Sequence, residues 1–419
     1  MGPEILLMVM LAGFAGACIG TFTGLIPGIH VNTAAALLLG SYPLMEEVVS
    51  QFADPAYTPV LISCCIMSAS SVHSFVDFVP SVFIGVPDAD DTLTVLPGHR
   101  LMSEGRGMVA VRAAAIGSVV GSSAALLLSI PLQWVMLHGG TGVVDDLILP
   151  VILLTLAVIV YCSSDRLVSA VLILVSGTMG YIVDLEVIPC MGIIGGGSMM
   201  MPLLTGLFGL PALLEDKAPA DRPPQRDDDT DPVGPMPGIQ GIATGLLAGW
   251  FPGVTSTAGA TLTAAFTRES DPARFISMTA SIGTVTAVFS LVTLSVTGSG
   301  RSGSALAVKE VIGDSLRGFC SEAFLLIILS LALASLLGYI ATIGTGKMMM
   351  RLSELIPEKT VNNAVLILIV VLVLLFTGPL GLVVLTVSAG VGRIPPALGV
   401  GRVCLTGCLM VPVLIFQLF

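Results

Sequence analysis

Apolar positions fill long unbroken stretches of this chain, and polar positions gather in short clusters between them. Continuous apolar runs cover about residues 5–26, 60–72, 113–132, 147–162, 167–183, 191–209, 275–296, 320–344, 361–377, 379–391 and 400–418. They lack the two-residue alternation of a half-buried strand, and most approach the ~20 residues that a helix needs to cross a bilayer. The pattern predicts an all-α polytopic membrane protein and excludes a β-barrel. Residues 211–238 stand apart, with seven prolines, seven acids and three bases. Such a segment cannot bury a core and is expected to be extended or disordered. It divides the chain into a first transmembrane repeat over 1–210, a linker over 211–238 and a second repeat over 239–419.

The division is supported by a motif that occurs twice. Gly-Thr-Phe-Thr-Gly-Leu-Ile-Pro-Gly-Ile-His-Val-Asn-Thr, from Gly20 to Thr33, is nearly repeated from Gly245 to Ala258 as Gly-Leu-Leu-Ala-Gly-Trp-Phe-Pro-Gly-Val-Thr-Ser-Thr-Ala. Aligned at the prolines, Gly16, Gly20, Gly24, Pro27, Gly28, Ala35 and Leu37 fall on Gly241, Gly245, Gly249, Pro252, Gly253, Ala260 and Leu262. Small residues four apart let another backbone approach closely. Proline then removes a donor and clashes with the preceding turn, and glycine permits a sharp change of direction. Each copy therefore predicts a helix that ends inside apolar sequence and another that begins there. Asn32 and Thr33 in the first copy, and Thr255, Ser256 and Thr257 in the second, are good residues to start the following helix. A further polar break follows in each half, at about residues 79–98 and 297–304. The expected architecture is two inverted repeats of discontinuous or re-entrant helices.

Composition narrows the function. The chain is 54% hydrophobic and 11% charged, with a net charge of −11. That acidity excludes a basic nucleic-acid face. The eight scattered cysteines have no metal spacing and read as small buried hydrophobes. No phosphate-binding G-x-x-x-x-G-K-[ST] loop occurs, so nothing in the chain argues for ATP drive. No enzyme constellation is present, and no cofactor is expected.

A few ionisable residues sit within or beside apolar runs. His73 and Asp77 are four apart in Ser-Ser-Val-His-Ser-Phe-Val-Asp-Phe-Val-Pro and would share a helix face. They read either as a structural pair at a helix end or as members of an ion pathway. Arg301 is the one charge in Thr-Gly-Ser-Gly-Arg-Ser-Gly-Ser, as a headgroup-level arginine or as the countercharge of an anion. Asp88, Asp90 and Asp91 mimic the start of a calcium loop, but the glycine and the terminal glutamate that such a loop needs are missing.

Helix starts carry unpaired N–H groups and a positive potential. Two half-helices aimed at one central point form a natural seat for a carboxylate or phosphate. The candidate substrate site therefore comprises Pro27, Gly28, His30, Asn32, Thr33, Pro252, Gly253, Thr255, Ser256, Thr257 and Arg301, with His73 and Asp77 as ion-coupling candidates. Nothing in the sequence specifies a bound metal.

Four blocks carry a resemblance. They are Gly20 to Leu37, Gly245 to Thr261, the segment Pro-Gly-His-Arg-Leu-Met-Ser-Glu-Gly-Arg-Gly within Leu96 to Gly121, and Pro396-Ala-Leu-Gly399-Val-Gly-Arg402 with the following Gly407 to Pro412. Taken in chain order, from 20–37 through 96–121 and 245–261 to 394–412, they resemble the TctA-type large membrane subunit of the tripartite tricarboxylate transporters, in a shorter, archaeal-type form. The first block departs from the family pattern by carrying His30-Val-Asn32 where small residues are common. The resemblance implies a secondary transporter in the cell membrane, taking up a small organic anion, typically a carboxylate, by alternating access driven by a Na+ or H+ gradient. It also implies partners: an extracytoplasmic binding protein, a small membrane subunit and a second copy of the chain in a homodimer. One repeat group is expected to move against the other. Polyprenyl-phosphate lipid translocases are the alternative, since they carry similar paired Pro-Gly motifs, and a non-transporting scaffold is a third reading.

Overall fold

Apolar chain in lipid satisfies its backbone only by pairing within itself, and a long single run does so as a helix. A computed structural model of the chain describes residues 2–26, 31–84, 95–193, 198–214, 223–227, 233–251, 254, 256–267, 269, 271–300, 302–355 and 358–418. Among these residues there are nineteen α-helices and no strand. The first half holds α1 (Pro3–Gly24), α2 (Val31–Gly40), α3 (Tyr42–Val49), α4 (Thr58–Val76), α5 (Phe78–Phe83), α6 (Val95–Ser103), α7 (Gly107–Val135), α8 (Thr141–Cys162), α9 (Arg166–Asp184), α10 (Met200–Leu204) and α11 (Leu210–Leu213). The second holds α12 (Met236–Trp250), α13 (Ser256–Thr267), α14 (Pro272–Thr297), α15 (Gly303–Ile312), α16 (Glu322–Leu355), α17 (Glu358–Gly392), α18 (Ile394–Ala397) and α19 (Gly407–Leu418). Among the described residues, seven helical stretches are long and apolar enough to cross a membrane.

Glycine and proline set the interruptions. Between α7 and α8, His138 and Gly139 leave the helical conformation, Gly139 at φ +112°. Gly378 at φ +76° followed by Pro379 divides α17, so residues 361–377 and 379–391 are two segments, as the apolar pattern predicts. The expected span over 191–209 is not one helix. Non-helical chain precedes α10, which is short and passes through a wide turn, Thr205–Gly209, into α11. Four cysteines, Cys64, Cys65, Cys404 and Cys408, are buried as expected; Cys18, Cys162 and Cys190 are exposed.

In the stretch Thr58–Phe83, 89% of the most apolar window is buried, and in Pro272–Thr297, 78%; Arg166–Asp184 and Asn362–Ala397 each reach only 39%, and Pro3–Gly24 33%. Helices α4 and α14 are thus the enclosed axes, and α1, α9 and α17 turn apolar faces outward toward lipid. Helix α4 packs against α1 and α16, and α14 packs against α12 and α7. Outside lie α9 packed on α19, and α10 and α11 packed on α17.

Close contacts give the helix directions. On α4 and α16, Ser68 bonds Ser330 at 2.7 Å, and further along Thr342 Oγ1 donates to the Phe75 carbonyl at 3.0 Å. These two run parallel, and α1 runs parallel to α4 by the glycine contacts described below. On α7 and α14, Gly117 abuts Ser277, and Gln133 bonds Ser295, so these are parallel as well. Helix α7 meets α16 the other way round: Gly346 sits against Val111 and Met108, while the Cys320 N–H donates to Gln133 Oε1. The group α1, α4 and α16 therefore runs opposite to the group α7, α12 and α14. Each half of the sequence contributes one helix, α7 or α16, to the other half's group.

Candidate functional site

The repeated small residues build the same packing twice. A side chain at Gly16, Gly20 or Gly24 of α1 would strike the carbonyls of Cys65, Ala69 and His73 on α4. At Gly241, Gly245 or Gly249 of α12, the α14 carbonyls of Met278, Ile282 and Thr286 occupy the corresponding places, the last at 3.5 Å. Side chains match too: Ser68 beside Gly16 corresponds to Ser281 beside Gly241, and Val76 beside Gly24 to Phe289 beside Gly249. Backbones this close interact over their whole length by van der Waals contact. The correspondence places His73 opposite Thr286 in the scheme, and Asp77 opposite Ser290.

These levels are deep. His73 lies beside Phe75, which faces Gly338 and Thr342 of α16, and α16 faces α7 through Gly346 and Val111. Thr286 lies between Ser277 and Ser295, which face Gly117 and Gln133 of α7. Carried across in register, both levels fall near the middle of α7, about 10 Å apart along its axis at ~1.5 Å per residue. The ends of α1 and α12 thus lie within the thickness of the helical layer.

After the second break the chain turns back. Thr263 of α13 bonds Thr244 of α12 through their hydroxyls at 2.7 Å, and Gly259 lies beside Thr244 and Ile282. Ser256, the first residue of α13, is buried, and its Oγ lies near the α14 backbone at Gly283. Helices α12 and α13 make a re-entrant hairpin, as the Pro-Gly motif predicts. After the first break, α2 packs between α4 and α15.

The two levels differ in chemistry. At the first, His73 is fully buried, and its Nδ1 lies 3.0 Å from Thr23 Oγ1 of α1. The Thr23 hydroxyl also reaches the Gly20 carbonyl at 3.3 Å. It has one proton to give, so when it donates there, His73 Nδ1–H donates to it. Asp77 is half-buried one turn on, and its backbone N–H closes the helix on the His73 carbonyl at 2.9 Å. At the second level the same positions carry hydroxyls. Thr286 Oγ1 donates to the Gly245 carbonyl at 3.3 Å and to Ile282 at 2.8 Å. Ser290 accepts from Ser302, which caps α15, and Ser302 also meets Ser304 at 3.0 Å.

Of the predicted site residues, Pro27, Gly28, His30, Pro252, Gly253, Thr255 and Arg301 lie outside the described residues, as do the side chains of Asn32, Thr33 and Thr257. Asn32 and Thr33 lie in the first turn of α2, and Ser256 and Thr257 begin α13. His73 and Asp77 share one helix face at the first break, as their spacing predicts. Thr23, Thr286 and Ser290 were not singled out by sequence reasoning. The many Ser and Thr of residues 275–296 were the available signal, but hydroxyls that bond their own helix are common in membrane helices.

Helix breaks within a bundle of apolar helices are a recurrent feature of transporters, and comparison with known families bears on the same question. The model of the tripartite tricarboxylate transporter TctA family matches residues 10–407. The chain belongs to that family. It is 28% identical to an uncharacterized protein of Methanocaldococcus jannaschii over 300 residues, 70% of each chain. No solved structure matches it. As a TctA family member the chain is a multi-pass membrane component of tricarboxylate-transporter type, and the family name places it in a three-part system.

Proposed function

We propose that this chain is the permease of a secondary transport system for a small organic anion, a carboxylate, in the cell membrane. The two Pro-Gly breaks face one substrate site, with Ser256, Thr257, Asn32, Thr33 and the N–H groups at the starts of α2 and α13 as donors to the anion. His30 and Arg301 supply positive charge. His73, held by Thr23, and Asp77 couple the movement to a proton or sodium gradient. The two sequence halves act as inverted repeats about this site, an extracytoplasmic binding protein delivers the anion, and a small membrane subunit and a second copy complete the assembly.

The observation that supports the reading most is the paired arrangement of α1 with α4 and α12 with α14, running in opposite directions, with a helix end in each at mid-depth. Polar backbone at that depth is tolerated where it lines a protein cavity. The test is uptake of labelled mono-, di- and tricarboxylates into proteoliposomes, with sodium and proton gradients imposed separately and binding protein added. Gradient-driven uptake that disappears in the double variant Thr255→Val with Ser256→Ala supports the reading and identifies the ion. Absence of carboxylate uptake under every gradient, with leaflet exchange of a polyprenyl phosphate in its place, would assign the site to lipid translocation instead.

A further inference from the structure

The acidic linker, expected to be loose, is docked over the residues described in it. Pro223–Asp227 is non-helical and lies along the corner between α6 and α7. Gln225 Oε1 accepts the Gly107 N–H at 3.0 Å, supplying a partner for a donor in the first turn of α7. Its Nε2 donates to the Met102 carbonyl at 3.0 Å, and the Arg226 N–H donates to the Gly105 carbonyl at 2.9 Å. Gly105 has φ +76°, and a side chain there would press on the Pro224 carbonyl, while one at Gly107 would meet Gln225 and the Phe83 ring. The corner is shaped to receive the strap.

Asp227 extends the contact across the molecule. One carboxylate oxygen meets Arg112 of α7, and the other meets Lys347 of α16 at 3.0 Å. These helices belong to the two oppositely running groups, and here they touch: Gly346 lies against Val111 and Met108. At the far end of the same seam a second polar clamp closes. Buried Gln133 of α7 donates to Ser295 and to the Gly318 carbonyl at 3.1 Å, and accepts the Cys320 N–H at 3.0 Å. A buried amide with these bonds made resists any sliding that would leave them unmade.

We infer that the seam between α7 and α16 is a fixed axis, stapled at one end by the linker through Gln225 and Asp227 and at the other by Gln133. The groups α1/α4/α16 and α7/α12/α14, which meet at this seam, then do not slide past one another during transport. The two sequence repeats do not separate, because each has lent a helix to the other. This inference rests on the transport reading for its functional half and on the strap alone for its structural half, and the two are tested separately.

The first experiment introduces Val111→Cys with Gly346→Cys, in a background where Cys18, Cys162, Cys190 and Cys320 are alanine. An ideal Cβ at position 346 falls 2.7 Å from Val111 Cγ1, near where a cysteine at 111 would place its sulfur, so a disulfide can form with little backbone movement. Oxidation is expected to leave gradient-driven uptake unchanged within about twofold. Uptake that stops on oxidation and returns on reduction would overturn the inference. The second experiment needs no transport. Trypsin cleavage between Arg226 and Asp227 is followed by mass spectrometry in the intact chain and in Gln225→Ala with Lys347→Gln, which leaves the residues at the cut bond unchanged. The docked strap is expected to be cut about tenfold more slowly than the variant. Equal rates would show that these contacts do not hold the strap and would overturn the staple. A background protein that resists trypsin at this bond yet takes up no carboxylate would count against the transport reading and leave the staple standing.

Discussion

The pairs α1/α4 and α12/α14 are built on one packing plan and furnished with different chemistry. In both, three small residues four apart bring two parallel backbones together, and in both the glycine helix ends in a break at mid-depth. In the first pair the level of the last glycine carries a buried histidine held by a threonine, with an aspartate one turn beyond. In the second it carries Thr286 and Ser290, whose hydroxyls bond backbone carbonyls and a helix cap. Packing must be kept in both halves if both helices are to end at depth. A charge-carrying group is needed at only one place if one ion is coupled to one substrate. Under the function proposed above, the difference separates what each pair needs in order to fold from what the chain needs in order to work.

Substitution of the glycines is expected to have the largest effect, and to distinguish the two pairs. A side chain at Gly20 meets only backbone atoms of Ala69, whereas one at Gly245 meets the Val285 side chain at 2.6 Å and the Ile282 carbonyl at 3.0 Å. Gly20→Ala should destabilise by about 3 kcal/mol or more, since overpacking against backbone cannot relax by rotamer change. Gly245→Ala should cost less and be relieved by Val285→Gly, because the atom nearest the added methyl is the Val285 Cβ, which an alanine would keep. Thermal unfolding in detergent reads both. Equal losses, with no rescue at Val285, would mean that the contact is not as close as described.

The coupling chemistry is next in size. His73→Gln is expected to abolish gradient-driven uptake while leaving exchange of labelled for unlabelled substrate measurable, because a glutamine can accept the Thr23 bond but carries no proton charge. Thr286→Val, at the corresponding place, should keep gradient-driven uptake and lose about 1 kcal/mol of stability with its hydrogen bonds. If the two variants lose uptake alike, the asymmetry between the pairs is not one of coupling.

Much of this was legible in the chain. The Gly-x-x-x-Gly steps and the two Pro-Gly breaks are local signals: spacing fixes a helix face, and proline with glycine fixes an end, whatever the rest of the protein does. The Gly378–Pro379 division of α17 was visible for the same reason. The exchange of α7 and α16 between groups was not, because both are long apolar helices whose partners are decided by close contacts of their glycines with distant helices, such as Gly117 against Ser277 and Gly338 against Phe75. The span expected at 191–209 is not one helix because apolar content alone does not tell a continuous helix from chain interrupted by non-helical residues. Pro223–Asp227 reads as loose because its composition is that of disorder, and composition cannot report that Gly105 and Gly107 lie close beneath it.

The strap also yields a pH prediction that touches neither break. Partial burial pushes the Asp227 carboxyl up, but the hydrogen bond from Lys347 and the charges of Arg112 and Lys347 outweigh it, and the group is held below the ordinary value of 3.8. A carboxylate with a lowered folded pKa contributes its stability fully above the unfolded value and loses it as pH falls through the folded one. The strap should therefore stay docked at neutral pH and loosen only below about pH 4. Trypsin is inactive there, so amide hydrogen exchange at Arg226 is the measurement, and Asp227→Asn should flatten its pH dependence.

The smallest effect makes the finest distinction between the two pairs. Thr23→Val and Thr293→Val each remove one buried hydroxyl bond between a glycine helix and its partner, Thr23 to His73 and Thr293 to the Gly249 carbonyl at 3.0 Å. Each should cost about 1 kcal/mol, so melting temperature will not separate them. The pH profile of uptake will. Thr23 is a hydrogen-bond partner of the imidazole, and its removal changes the relative stability of the two protonation states of His73. Thr293 bonds only backbone carbonyls, whose protonation does not change. A profile that moves in Thr23→Val and stays in Thr293→Val assigns the coupling to the first pair. Profiles that both stay fixed would leave His73 as a packing residue and remove the chemical distinction between the two halves.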